Sequence, residues 1–165
     1  MTSLQCRRLL ASIAASCAFV SSPASARCPV DQLLEVGLRA DLFTGYIPTF
    51  QSGDTLPKEG VFAVALQPTN SVAYFLRPAG GTAVGYGGLV TLEDLAAGRY
   101  GIVLSEDARL EALQQRPFRP VPVTQRAQER DCSVVEINVE GGPLTLQISG
   151  ASNSAILVAM IRIRD

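Results

Sequence analysis

Between Cys132 and Ile163 apolar and polar residues alternate so regularly that extended backbone is the simplest way to separate them. Val135, Ile137 and Val139 are interleaved with Glu136, Asn138 and Glu140, and Leu144, Leu146 and Ile148 with Thr145, Gln147 and Ser149. Successive side chains on a strand point to opposite faces, so each run should present one apolar face and one wet face. Gly141-Gly142 supplies the positive backbone angles of a two-residue hairpin turn. After a second turn over Gly150 to Ser154 the chain runs out through Ile156, Val158, Met160, Ile161 and Ile163. This reads as a β-meander, and the expected fold is an all-β antiparallel sandwich of about seven or eight strands.

The first residues read as an address. Arg7 and Arg8 form a basic region, Leu9 to Val20 an apolar stretch, and Ala24-Ser25-Ala26 fits the small-x-small rule for cleavage before Arg27. The apolar stretch is too short to span a bilayer, which takes roughly 20 residues. The expected organisation is therefore a signal peptide over 1–26 and a single β-sandwich domain over 27–165, exported to the periplasm or secreted. Ala14-Ala15-Ser16-Cys17 also resembles a lipoprotein box, in which Cys17 would be lipidated, but Ala18, Phe19 and Val20 continue the apolar run where a polar tether would begin. Loss of the signal removes two arginines and no acid, so the formal charge moves from −1 to −3. That balance suggests neither nucleic acid nor an anionic membrane as partner, and the later apolar run over Ala155 to Ile163 is too short to be a second membrane segment.

Two cysteines remain, Cys28 and Cys132. In an oxidising compartment such a pair, with no ligand residues nearby, is most simply a disulfide. It would close a loop of roughly 100 residues, worth up to about 4.7 kcal/mol by the loop-entropy relation.

In the rest of the chain, Val30, Leu33, Leu34, Leu38 and Leu42 approximate helical spacing and predict a short helix over 29–42, weakened by Gly37. The glycines and prolines of 43–60 predict an irregular segment. Strands are expected over Val61 to Leu66, Val72 to Leu76, Val84 to Leu92 with a bulge at Gly87-Gly88, and Arg99 to Ser105. Glu106 to Gln115 alternates like a strand but is composed of good helix formers, and its place between strands favours strand. From Gln114 to Asp131, Pro117, Pro120 and Pro122 with Arg116, Arg119, Arg126 and Arg130 predict a long exposed loop.

The chain has no histidine. It therefore lacks an imidazole base for a serine or cysteine nucleophile and cannot build the usual histidine–carboxylate metal clusters. Two cysteines are too few for structural zinc, and no phosphate loop is present; no catalytic, cofactor-binding or metal-binding residue and no cofactor is expected. Glu93/Asp94 and Glu106/Asp107 are adjacent carboxylates at turns, where solvated charge is the simpler reading than acid–base work. Arg116, Arg119, Arg126 and Arg130 could dock an anionic partner through bidentate contacts. Without tryptophan a sugar platform would fall to Tyr46, Tyr74, Tyr86 and Tyr100, of which Tyr86 and Tyr100 fall at core positions of their strands.

Gly98-Arg99-Tyr100, the run from Gly141 to Gly150, and Ala65-Leu66-Gln67-Pro68 resemble a family of small exported proteobacterial proteins of unknown role, some labelled homogentisate 1,2-dioxygenase. The pattern is also similar to pre-peptidase C-terminal β-sandwich domains. The resemblance implies a fold and transfers no functional residue; a dioxygenase of the cupin kind would need histidines to hold iron. The expectation is a non-catalytic binding or accessory module of the cell envelope, its partner an unidentified envelope protein or glycan. A carboxylate-dependent hydrolase and a self-associating structural surface protein are the alternatives.

Overall fold

A computed structural model describes residues 47–78, 84–115, 118–129 and 132–163. The expected signal peptide, Cys28 and the helix predicted over 29–42 lie outside these residues. The described residues form twelve strands, more than the seven or eight expected: β1 (Thr49–Gln51), β2 (Thr55–Leu56), β3 (Gly60–Ala65), β4 (Gln67–Pro68), β5 (Tyr86–Leu95), β6 (Gly98–Leu104), β7 (Arg109–Gln115), β8 (Phe118–Val121), β9 (Val123–Glu129), β10 (Cys132–Val139), β11 (Gly142–Ala151) and β12 (Ala155–Ile163). The first sheet runs β1-β3-β12-β6-β10-β9 and the second β2-β5-β11-β7-β8, with β4 also beside β5. All pairings are antiparallel except β1 with β3 and β2 with β5. Between the sheets lies one apolar core, including Val64, Leu92, Tyr100, Ile102, Leu104, Ile137, Leu144, Leu146, Ile148 and Val158.

The strands expected over 61–66, 84–92, 99–105 and 106–115 are present. The meander is not. β10 pairs with β6 and β9, whereas β11 pairs with β5 and β7, so the chain changes sheets at Gly141-Gly142 and changes back before β12. Both glycines have the expected positive φ, +96° and +86°, but they turn a corner between layers instead of closing a hairpin.

The expected loop over 114–131 is also corrected. Its described residues include the whole of β8 and β9, the outermost strands of their sheets, with Pro122 alone between them. Edge strands tolerate proline because a missing N–H on the open side breaks no ladder, so the same residues that argue for a loop also suit an edge.

Residues Val72 to Leu76 are not a strand. They form a strap across the outward face of the second sheet, where Gln147 receives the N–H groups of Phe75 (2.6 Å) and Leu76 (3.1 Å) and donates to the Leu76 carbonyl (3.2 Å) and the Glu111 carboxylate (2.9 Å). The polar face of β11, expected to be wet, is dry: Thr145, Gln147 and Ser149 are buried. The strap is pinned again where the Tyr74 hydroxyl donates to the Ile148 carbonyl at 3.0 Å. Burial holds the Tyr74 phenol above its ordinary pKa of 10.0.

This second pin depends on Gly87. The pairing of β5 with β11 shifts register between Ile148 and Ala151, opposite Gly87, which places the expected bulge at the glycine pair with its extra residue on β11. A β-carbon on Gly87 would overlap the Tyr74 hydroxyl and stand 2.6 Å from the Ile148 oxygen. Gly87→Ala should therefore cost about 1–3 kcal/mol, read as a lower urea midpoint with unchanged slope. Because the folded state favours the neutral Tyr74 phenol, its contribution is whole below pH 10 and is lost as pH rises through the raised value. Tyr74→Phe should flatten that alkaline fall in melting temperature while costing about 1 kcal/mol at neutral pH through the lost hydrogen bond.

Candidate functional site

The corner where β8 passes to β9 brings the two sheets together around a cleft of about 360 Å³. Its wall is drawn from Gln114 of β7, Arg119, Pro120 and Val121 of β8, Pro122, Thr124 of β9, Glu136 to Asn138 of β10, Glu140, and Arg99 of β6. Its centre is Glu136. This residue sits directly between Thr124 on one side and Gly101 on the other, and the missing side chain at Gly101 leaves room on that side. Arg99, two residues along β6, reaches across so that its Nε lies 3.2 Å from Glu136 Oε1.

The other partner is delivered by an irregularity. The pairing of β9 with β10 slips between Val134 and Val135, leaving Arg126 as the unpaired residue on β9. Such a bulge re-aims a side chain, and Arg126 Nε donates to Glu136 Oε2 at 2.6 Å. One carboxylate with 11% of its side chain exposed thus joins two arginines that are 44% and 50% exposed. Across the corner Arg119 of the second sheet pairs with Glu140, just beyond β10 of the first. Gln114 is buried beside them; its amide nitrogen donates to the carbonyls of Gly141 (2.7 Å) and Pro143 (3.0 Å), while its Oε1 has no hydrogen-bond partner.

Among the described residues the cleft offers guanidinium donors, carboxylate and amide acceptors and one hydroxyl, at Thr124. The arginine set read from the sequence is only partly placed. Arg119 and Arg126 are each tied to a carboxylate, and Arg116 and Arg130 lie outside the described residues. Sequence reasoning missed Arg99, Gln114, Glu136 and Glu140. Arg99, Glu136 and Glu140 leave only the trace of charge that alternation assigns to solvent, and the neutral Gln114 leaves none.

The paired carboxylates do not converge. Glu93 and Asp94 are exposed at the end of β5. Glu106 is buried and accepts from the Ser152 N–H (2.9 Å) and the Asn153 amide (3.2 Å), which fixes the turn between β11 and β12. Tyr100 is a core residue whose hydroxyl donates to the Ala96 carbonyl at 3.0 Å, and Tyr86 packs against the core. Among the described residues there is no group of three potential metal ligands, and no helix long and apolar enough to cross a membrane.

No known protein family and no curated protein matches the chain. Among solved structures it is similar to the pre-peptidase C-terminal domain of collagenase from Bacillus anthracis, at 6% identity and a TM-score of 0.38, over 71% of this chain and 100% of that one.

Because Arg99 and Arg126 are both half solvated, the ion pairs around Glu136 should be modest. A double-mutant cycle on Arg126→Ala and Glu136→Gln should give a coupling of about 0.5–1 kcal/mol that shrinks in high salt, read from urea denaturation. A coupling that is absent at low salt would show that the bulge does not aim Arg126.

Proposed function

We propose that this chain is a non-catalytic binding or accessory module of the cell envelope, exported by the signal peptide over 1–26 to the periplasm or beyond. The observation that carries the reading is the cleft lining. Arg99 and Arg119 are each paired with a carboxylate, Glu136 or Glu140. Thr124, the one hydroxyl among the described lining residues, stands in a chain without histidine to activate it. Exposed ion pairs at a rim can exchange partners at low cost, which suits reversible contact with a polar polypeptide. Among the described residues no aromatic ring lines the cleft, which favours an envelope protein over a glycan, for which a stacking surface would be expected.

The export reading includes a Cys28–Cys132 disulfide. It is supported by Cys132, which is fully buried at the start of β10 and engaged in a bond, not a free thiol.

Photo-crosslinking from position 124 in intact cells should recover a discrete envelope protein. Arg119→Ala combined with Glu140→Ala should lower that yield about tenfold, the equivalent of roughly 1.4 kcal/mol, with little change in melting temperature. Equal recovery from the variant, or no envelope protein at all, would overturn the assignment.

A further inference from the structure

The outward face of the first sheet carries a second apolar cluster separate from the core: Val103, Cys132, Val134 and Ala159, all 0% exposed, with Val61, Ile161 and Ile163 partly buried around them. The pairings place Val134 opposite Val103, Val103 opposite Ala159, and Ala159 opposite Val61. These four residues form a row at right angles to the strands. The neighbouring row runs from Cys132, one residue on from the Ser133–Leu104 pair, through Ser105 and Leu157 to Ala63 and Thr49. The result is a stripe that crosses the sheet, largely apolar from β10 to β3 and ending at the exposed Thr49 of β1. Every described strand belongs to one of the two sheets, so no described strand stacks on this stripe, yet its centre is dry.

We infer that the segment from Pro29 to Tyr46 covers this stripe, lying across the strands with Val30, Leu33, Leu34, Leu38 and Leu42 turned towards it. Two observations and the pairing proposed above converge on that occupant. The segment leads directly into Ile47 and Pro48, where the Pro48 carbonyl accepts from Ala63 at the β1 end of the stripe. The Cys28–Cys132 pairing proposed above would fix its other end at β10. The lengths also agree: four strand spacings from β10 to β1 span about 19 Å, and the helix expected from the spacing of 29–42 would span about 21 Å. A one-sided stripe of valine and leucine on the segment then meets a one-sided stripe of valine, alanine and isoleucine on the sheet.

The test is the accessibility of Ala159. A thiol introduced as Ala159→Cys should react slowly with a maleimide in the otherwise unaltered chain, and at least about tenfold faster once Leu34→Asp and Leu38→Asp are added. Leu38→Ala, a milder change, should move the rate in the same direction and keeps the result readable if the aspartate pair does not fold. Rapid labelling in the unaltered segment would overturn the inference, as would slow labelling in all three variants. Protection that disappears on dilution, with sedimentation showing dimer giving way to monomer, would assign the face to a second copy and would also overturn it. The disulfide is read separately: counting labelled thiols without reductant should find neither Cys28 nor Cys132, and finding both would remove the tether without deciding what covers the stripe.

Discussion

Gln147 points away from the core, on the face of the second sheet that alternation alone would leave in water, and it is nevertheless 1% exposed. An amide buried there without partners would cost about 1–3 kcal/mol for each unsatisfied group. Gln147 satisfies itself with backbone groups of the strap and with Glu111. That bonding converts a liability into a clamp: the strap must keep one conformation, because any other would strand the amide. Beside it Thr145 shares a hydrogen bond with Thr91 at 3.3 Å and accepts another from Gln115, which extends the dry polar layer across β5, β11 and β7. The sandwich thus has a second, polar interior on the outside of one sheet.

Glu136 shows the opposite solution on the other sheet. It too lies on an outward face, next to an apolar stripe, but its two oxygens meet guanidinium groups that remain half in water. The guanidinium groups keep about half of their exposure while the carboxylate is shielded, so the desolvation cost that makes buried ion pairs unprofitable falls mainly on Glu136. The same solvation leaves the arginines able to turn towards something else. The cleft accordingly grades from Gln114, held by two carbonyls, to Arg119 and Glu140 at the rim.

Much of the fold could be read from the chain because burial in the inter-sheet core obeys a period of two. Val135, Ile137 and Val139, and likewise Leu144, Leu146 and Ile148, all point inward as their spacing requires. Pairing partners were not legible, since alternation says which face a residue occupies and nothing about which strand lies beside it. A Gly-Gly corner between sheets and a Gly-Gly hairpin within one demand the same positive φ, so Gly141-Gly142 could not decide between them. For a related reason β8 and β9 read as a loop: proline and arginine mark solvent contact, which loops and edge strands share. The cleft was hidden further, because it depends on a register slip that delivers Arg126 to Glu136, and a slip leaves no periodic trace.

The two outward faces place different demands on whatever covers them. On the second sheet the cover is short and hydrogen-bonded, and direction is supplied by the amide of Gln147 and the hydroxyl of Tyr74. On the first sheet the stripe of Val61, Ala159, Val103 and Val134 offers almost no hydrogen bonds, and apolar contact is not directional. A cover held by such contact alone could slide or be replaced by another greasy surface. A covalent tether at Cys132, on the stripe itself, would restrict the choice to the segment that begins there. The polar face can hold its cover by geometry, whereas the apolar face needs its cover delivered by connectivity, which gives the proposed disulfide a physical reason to lie where it does.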